Sequence, residues 1–158
     1  MEIERKFLVA ELPLHLSEAE SALITQIYLT ECGSDCEKRI RKVVRGGRDA
    51  HFLTEKSGNG LMRSETETRI SRAEFDSLSR VAVSDAIIKK RHFVPIGGEL
   101  TAELDIYEGN LSGLITVEVE FASTNEAIAF APPPWFGCEI TDDKRYKNRS
   151  LAENGIPK

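Results

Sequence analysis

The chain has 158 residues, 41% of them hydrophobic, the size of an ordinary single domain and enough to bury a core, so one domain spanning residues 1–158 is expected. Twenty-one Lys plus Arg against 26 Asp plus Glu give a formal net charge of -5, so the overall field favours neither nucleic acid nor an anionic membrane, and any bound anion must be drawn by a local cluster. Charges begin at Glu2 and no apolar run approaches the ~20 residues of a membrane span; no signal peptide is expected, and the expected location is the cytoplasm.

Taken in chain order, alternation and turn residues predict strands near 2–9, 24–31, 37–45, 50–57, 61–71, 86–94, 99–108 and 114–122. Ser17 with Glu20 has the form of a capping box and predicts a short helix before the second strand. Ser71 with Glu74 repeats that form, and Phe75, Leu78 and Val81 or Ala82 follow at helical spacing. Both helices are expected on the apolar outside of the sheet. Gly46-Gly47, Gly58-Asn59-Gly60, Gly97-Gly98 and Glu108-Gly109-Asn110 supply the turns of an antiparallel meander. Pro132, Pro133 and Pro134 mark a stiff loop, and Trp135 and Phe136 after it are expected to anchor that loop in the core. Cys32, Cys36 and Cys138 are odd in number and lack a second nearby pair, which fits free thiols in a reducing compartment better than a disulfide framework or a zinc site.

The strands are sorted by charge. Glu2, Glu4 and Lys6 share one parity while Ile3, Phe7 and Val9 take the other, so the ionic side of this strand can be an interior and the apolar side a packed exterior. Thr101, Glu103, Asp105 and Tyr107 oppose Leu100, Ala102, Leu104 and Ile106; Glu118 and Glu120 oppose Val117, Val119 and Phe121. Basic strands carry Arg39 with Arg41 and Lys89 with Arg91, and Arg63, Glu65 and Glu67 fall on one parity. Like charges two residues apart repel, and either opposite charges on neighbouring strands or a bound ion must offset that cost. A polyanion for the basic strands, with hard cations between it and the carboxylates, satisfies both.

The opening Glu-x-Glu-x-Lys at Glu2, Glu4 and Lys6, the Arg-x-Arg at Arg39 and Arg41, the Arg-x-Glu-x-Glu at Arg63, Glu65 and Glu67, and the tail Thr141 to Asn148 resemble the CYTH proteins, also called triphosphate tunnel metalloenzymes. The likeness runs from Met1 to about Leu151, although Asp142 and Lys144 stand where many relatives carry Gly and Pro. It implies a mainly β, α+β fold: an eight-stranded antiparallel closed β-barrel with helices packed outside, whose lumen binds a triphosphate and divalent metal ions. Members of that family include inorganic and thiamine triphosphatases, a class of adenylate cyclases and fungal RNA capping triphosphatases.

On this resemblance Glu2, Glu4, Glu118 and Glu120 are the expected metal carboxylates, for Mg²⁺ or Mn²⁺. Glu65, Glu67, Glu103 and Asp105 either complete a second metal position or orient the basic residues as ion-pair partners. Lys6, Arg39, Arg41, Lys56, Arg63, Lys89 and Arg91 form the expected phosphate cradle, with Lys6, Arg39, Arg41 and Lys56 as the catalytic set. On this parity count the inner acids slightly outnumber the bases, so a divalent cation is expected to be obligatory. Arg5, Lys38, Lys42 and Lys90 have the opposite parity and are expected outside. Lys144, Arg145 or Lys147 are candidates to reach one mouth of the lumen. His15, His51 and His92 are expected to be structural or exposed, and the chain has no GxxxxGK[ST] loop. With aromatics at 7% and no clustered base platform, inorganic tripolyphosphate is the first choice of substrate. Thiamine or nucleoside triphosphate hydrolysis, adenylate cyclisation and a noncatalytic polyphosphate-binding module are the alternatives, and monomer and homodimer both stay open. Replacing Arg41 with Ala should weaken triphosphate binding far more than the same change at Lys42, measured by titration calorimetry; equal effects would contradict the parity assignment.

Overall fold

A computed structural model describes residues 2–31, 35–57 and 64–158; Arg63, Cys32 and the Gly58-Asn59-Gly60 turn lie outside them. The strands are β1 (Ile3–Val9), β2 (Glu20–Tyr28), β3 (Cys36–Arg45), β4 (Arg48–Ser57), β5 (Ser64–Ile70), β6 (Ile87–Pro95), β7 (Thr101–Tyr107), β8 (Ile115–Phe121) and β9 (Phe136–Glu139). The helices are α1 (Arg72–Ser79), α2 (Thr124–Ala129) and α3 (Asn148–Asn154). All strands join one antiparallel sheet in the order β5-β4-β3-β2-β6-β7-β8-β1-β9. Two meanders, β2 to β5 and β6 to β8, are therefore joined through β2 and β6, and β1 is laid beside β8. The Gly46-Gly47 turn is formed as expected: both glycines have positive φ (58° and 76°), the backbone a two-residue hairpin between Arg45 and Arg48 needs.

The expected closed eight-stranded barrel is corrected by this topology. The sheet has nine strands among the described residues, and its edges β5 and β9 do not pair. Closure of eight strands would bring β5 against the free edge of β1, and that edge is taken by β9. Aromatic packing holds β9 there. Phe136 is buried, with its ring centroid 5.0 Å from Phe7 and 4.5 Å from Trp135, so the expected anchoring of this loop is realised as an added strand. Gly137 permits the approach, because a Cβ at that position would meet the Leu8 carbonyl oxygen at 3.0 Å.

Two apolar clusters cover the outer face. Phe7, Leu104, Val117, Val119 and Phe121 pack under Ala127 of α2 and Phe136. Ile27, Ile40 and Phe75 of α1 form the second, flanked by Leu29, Leu53, Ile70 and Leu78. The Ser71 capping box is present, with Glu74 N–H donating to Ser71 Oγ and Ser71 N–H to Glu74 Oε1. The helix expected from Ser17 and Glu20 is a single 3-10 turn, Leu16–Glu18, because β2 begins at Glu20 and takes the second partner of the box into the sheet. The third cluster lies on the other face: Leu151 and Ala152 of α3 pack on Tyr28, Ile87 and Tyr107, so α3 caps one end of the charged face instead of covering the outside. Among the described residues, Cys36 and Cys138 are free thiols, and no helix is long and apolar enough to cross a membrane. Replacing Phe136 with Ala should lower the unfolding free energy by about 3–5 kcal/mol in urea titrations; a loss below about 1 kcal/mol would mean that β9 is not anchored by this ring.

Candidate active site

Cross-strand partners in an antiparallel sheet share a face, so the register assembles the charged side chains step by step. Glu4 lies opposite Glu120, Lys6 opposite Glu118, and Glu118 opposite Glu103. Asp105 faces Arg91, Arg91 faces Ala22, and Lys89 faces Ile24. Arg41 faces Gln26 and Arg39 faces Tyr28, while Lys56 lies between Glu37 and Glu65, and Thr54, opposite Arg39, faces Glu67. One face of the sheet therefore carries these residues from β1 to β5. Arg5, Lys38 and Lys42 are on the other face, where they meet Glu139, Glu55 and Asp49, and Lys90 shares that face.

At the end capped by α3 this face forms a cavity of about 510 Å³ lined by Glu4, Lys6, Arg39, Lys56 and Glu118 together with Glu37, Asp143, Lys144, Lys147 and Arg149. Its lining carries six cationic side chains and four carboxylates, the reverse of the balance expected for the whole inner face. The tail is stapled across it. Ile140 N–H donates to the Lys6 carbonyl at 2.8 Å, Lys6 Nζ donates to the Tyr146 carbonyl at 2.8 Å, and Tyr107 Oη lies 3.0 Å from Asn148 Oδ1. Of the tail cations, Lys144 and Lys147 line the cavity, whereas Arg145 turns to Asp143 at 2.6 Å.

Glu2, Glu120, Arg41, Lys89, Arg91, Asp105, Glu65 and Glu67 lie outside that cavity's lining. Lys89 and Asp105 are each 2% exposed, and Lys89 Nζ sits 2.8 Å from Asp105 Oδ2. Arg91 grips the same carboxylate with Nε at 2.8 Å and Nη2 at 2.9 Å and reaches Glu103 with Nη1 at 2.8 Å. Arg41 pairs with Glu67 at 3.2 Å. Of the two readings open for Glu67, Glu103 and Asp105, these contacts are those of ion-pair partners; Glu65 is exposed opposite Lys56. Lys89, expected in the phosphate cradle, has its ammonium engaged with Asp105 beneath the surface.

Burial opposes ionisation of Asp105, but Lys89 and Arg91 outweigh it and hold the carboxyl at about 2. Burial likewise disfavours the Arg91 charge, and Asp105 and Glu103 more than restore it, so its pKa is raised. Partial burial, then the Glu118 and Glu2 carboxylates, push Glu4 above its ordinary value, although its side chain is open to solvent on one side. Burial also raises Glu103, with Arg91 opposing and Glu118 adding to the shift. Arg41 is lowered by burial, then supported by Glu67 and opposed by Arg39. Glu4, Glu103 and Glu118 thus stand close enough to repel. Among the described residues, however, no three His, Cys, Asp or Glu side chains converge tightly enough to hold a metal by themselves.

Tyr107 shares the ionic parity of its strand, whereas Tyr28 and Arg149 carried no such pattern in the sequence. Tyr28 and Tyr107 form the floor under α3, and burial raises both phenols, Tyr107 to about 12. Arg149 stacks its guanidinium 4.8 Å from the Tyr28 ring centroid and approaches Glu37 at 3.9 Å. Its only local signal is the i,i+4 spacing to Glu153, which reads as an ordinary helix-surface pair. His51 and His92 are buried and His15 is exposed.

Because the Asp105 carboxyl titrates below its ordinary 3.8, the stability it contributes is complete above that value and is lost as pH falls through about 2. Asp105→Asn, which leaves Lys89 and Arg91 without a counter-charge, should cost about 3–5 kcal/mol in urea unfolding at neutral pH. It should also flatten the acid dependence of stability in that window; an unchanged acid profile would show that Asp105 does not carry it.

No family model matches the chain. The inorganic triphosphatase of Nitrosomonas europaea is 43% identical over 151 residues, covering 96% of this chain and 96% of the relative. The inorganic triphosphatase of Acetivibrio thermocellus is 32% identical over 154 residues, 97% of this chain and 94% of the relative. A crystal structure of an inorganic triphosphatase superimposes with a TM-score of 0.77 at 39% identity, covering 100% of this chain and 97% of that one. With such likeness running along its full length, the chain belongs to the family of these inorganic triphosphatases.

Proposed function

We propose that this chain is a single CYTH-type domain that hydrolyses inorganic tripolyphosphate to pyrophosphate and orthophosphate with the help of Mg²⁺ or Mn²⁺. The observation that carries this reading is the cation-rich cavity of about 510 Å³ at the capped end of the charged face, in a chain whose net charge is -5. A small, highly charged anion gains most from such a local excess of positive groups. The two full-length relatives, both inorganic triphosphatases, support the same substrate class.

The carboxylates suit hard divalent cations such as Mg²⁺, which is commonly held by one or two carboxylates, waters and substrate phosphate oxygens. Glu4 and Glu118, with Glu2 just before β1 and Glu120 on β8, are the residues that would hold it. When bound, the metal would neutralise phosphate charge and lower the pKa of a water. Lys6, Arg39 and Lys56 line the cavity and are assigned to bind phosphate oxygens, spreading the charge that builds up on the departing pyrophosphate. Arg41 extends that basic track along β3 toward the open end, while Asp105 keeps Lys89 and Arg91 in place beneath it.

Phosphate release from tripolyphosphate, ATP and thiamine triphosphate, each with Mg²⁺ or Mn²⁺ and with cyclic AMP measured in parallel, tests the substrate. Tripolyphosphate should be turned over fastest and chelator should abolish turnover; cyclic AMP formation, or tight binding of tripolyphosphate without turnover, would replace this reading by a cyclase or a binding module. Glu118→Gln should raise the metal concentration for half-maximal rate by about 10- to 100-fold, read from a Mg²⁺ titration at fixed substrate.

A further inference from the structure

Arg149 is held by three restraints and has one corner left over. Its Nε donates to Glu153 Oε1 at 2.8 Å, its Nη2 donates to the Thr30 carbonyl, and its guanidinium lies over the Tyr28 ring. Nη1 is buried and has no hydrogen-bond partner, since Glu37 Oε2 stands 3.9 Å away, beyond hydrogen-bond reach. Arg39 Nε, on the same cavity, is buried without a partner as well. Buried donors are nearly always satisfied, so two such groups on side chains that line one cavity call for an acceptor that enters it.

We infer that Arg149 and Arg39 together seat the terminal phosphate of a linear polyphosphate at the capped end of the cavity, which makes Arg149 a substrate-binding residue. This rests on the reading of the substrate given above. Leu151 and Ala152, on the same helix as Arg149, are packed on Tyr28, Ile87 and Tyr107, an apolar floor against which a chain of phosphates would end. The phosphate that arrives there is an end group, with three non-bridging oxygens that suit paired guanidiniums better than point charges. The stack on Tyr28 and the bonds to Glu153 and Thr30 hold the guanidinium in place before binding, which limits the ordering cost on association. Glu37, which lines the same cavity and stands 3.9 Å from Arg149 Nη1, competes with the incoming anion for that donor.

Titration calorimetry of tripolyphosphate with Mg²⁺ against wild type, Arg149→Gln, Arg149→Lys, Glu37→Gln and Glu153→Gln, with thermal melting of each protein, tests the seat. Arg149→Gln should weaken binding at least tenfold, Arg149→Lys should recover part of the loss, Glu37→Gln should tighten binding severalfold, and Glu153→Gln, whose amide oxygen still accepts from Arg149 Nε, should stay within about twofold. A folded Arg149→Gln that binds within twofold of wild type would overturn the proposal, leaving Arg149 as a clamp for α3. If Arg149→Gln does not fold, Glu37→Gln decides: unchanged or weaker binding would overturn it. Wild type that binds tripolyphosphate but releases no phosphate would defeat the hydrolase reading while the seat is still judged on affinity. Hydrolysis by wild type with affinities unmoved by Arg149→Gln and Glu37→Gln would defeat the seat alone.

Discussion

A carboxylate sunk in a protein stays ionised only if cations reach it, and Asp105, 2% exposed, is reached by both Lys89 and Arg91. Desolvation of each charge costs several kcal/mol and is offset only when geometry and hydrogen bonding are nearly complete. Here the ammonium lies at 2.8 Å and the guanidinium makes two hydrogen bonds, so the middle of the sheet can carry charge on its inner face without collapsing onto water or onto apolar side chains. The strands on either side can then carry their own ionic rows. Arg91 passes the same constraint outward to Glu103, which faces Glu118, which in turn lies within 3.5 Å of Lys6.

From that centre the two ends of the face differ. At one end the tail crosses the strands, Lys6 is tied to the Tyr146 carbonyl, and α3 seals the floor with Leu151 and Ala152. The result is a pocket in which cations outnumber carboxylates, although the chain as a whole is acidic. At the other end Arg45 lies over the Phe93 ring at 4.2 Å and pairs with Glu20, in a setting much more open to solvent. The capped end therefore carries a local excess of positive groups against an overall negative charge, the field that the proposed polyanion would meet. The unpaired donors of Arg39 and Arg149 add direction to that field.

Much of this was legible in the chain, because alternation survives pairing. Glu4 and Lys6, Glu103 and Asp105, and Arg39 and Arg41 fall on one face for the simple reason that a strand has a side-chain period of two, and hairpin turns such as Gly46-Gly47 preserve the register from one strand to the next. The outer helix α1 was legible too, through its capping box. The short elements were not. β9 spans only Phe136–Glu139 and α2 only Thr124–Ala129, lengths at which periodicity cannot be told from loop, and what holds β9 is contact with Phe7 and Trp135 rather than its own pattern.

The sequence by itself determined which residues share a face and hence that one side of the sheet would be ionic, since two-residue alternation is a property of the backbone alone. Only the tertiary structure decided that the sheet stays open, because whether β5 or β9 takes the last edge of β1 depends on side chains far apart in the chain. It likewise decided which charges are spent on each other and which look into the cavity. That division follows from distances between strands and from where α3 comes to rest, and neither is encoded in the spacing of residues along one segment.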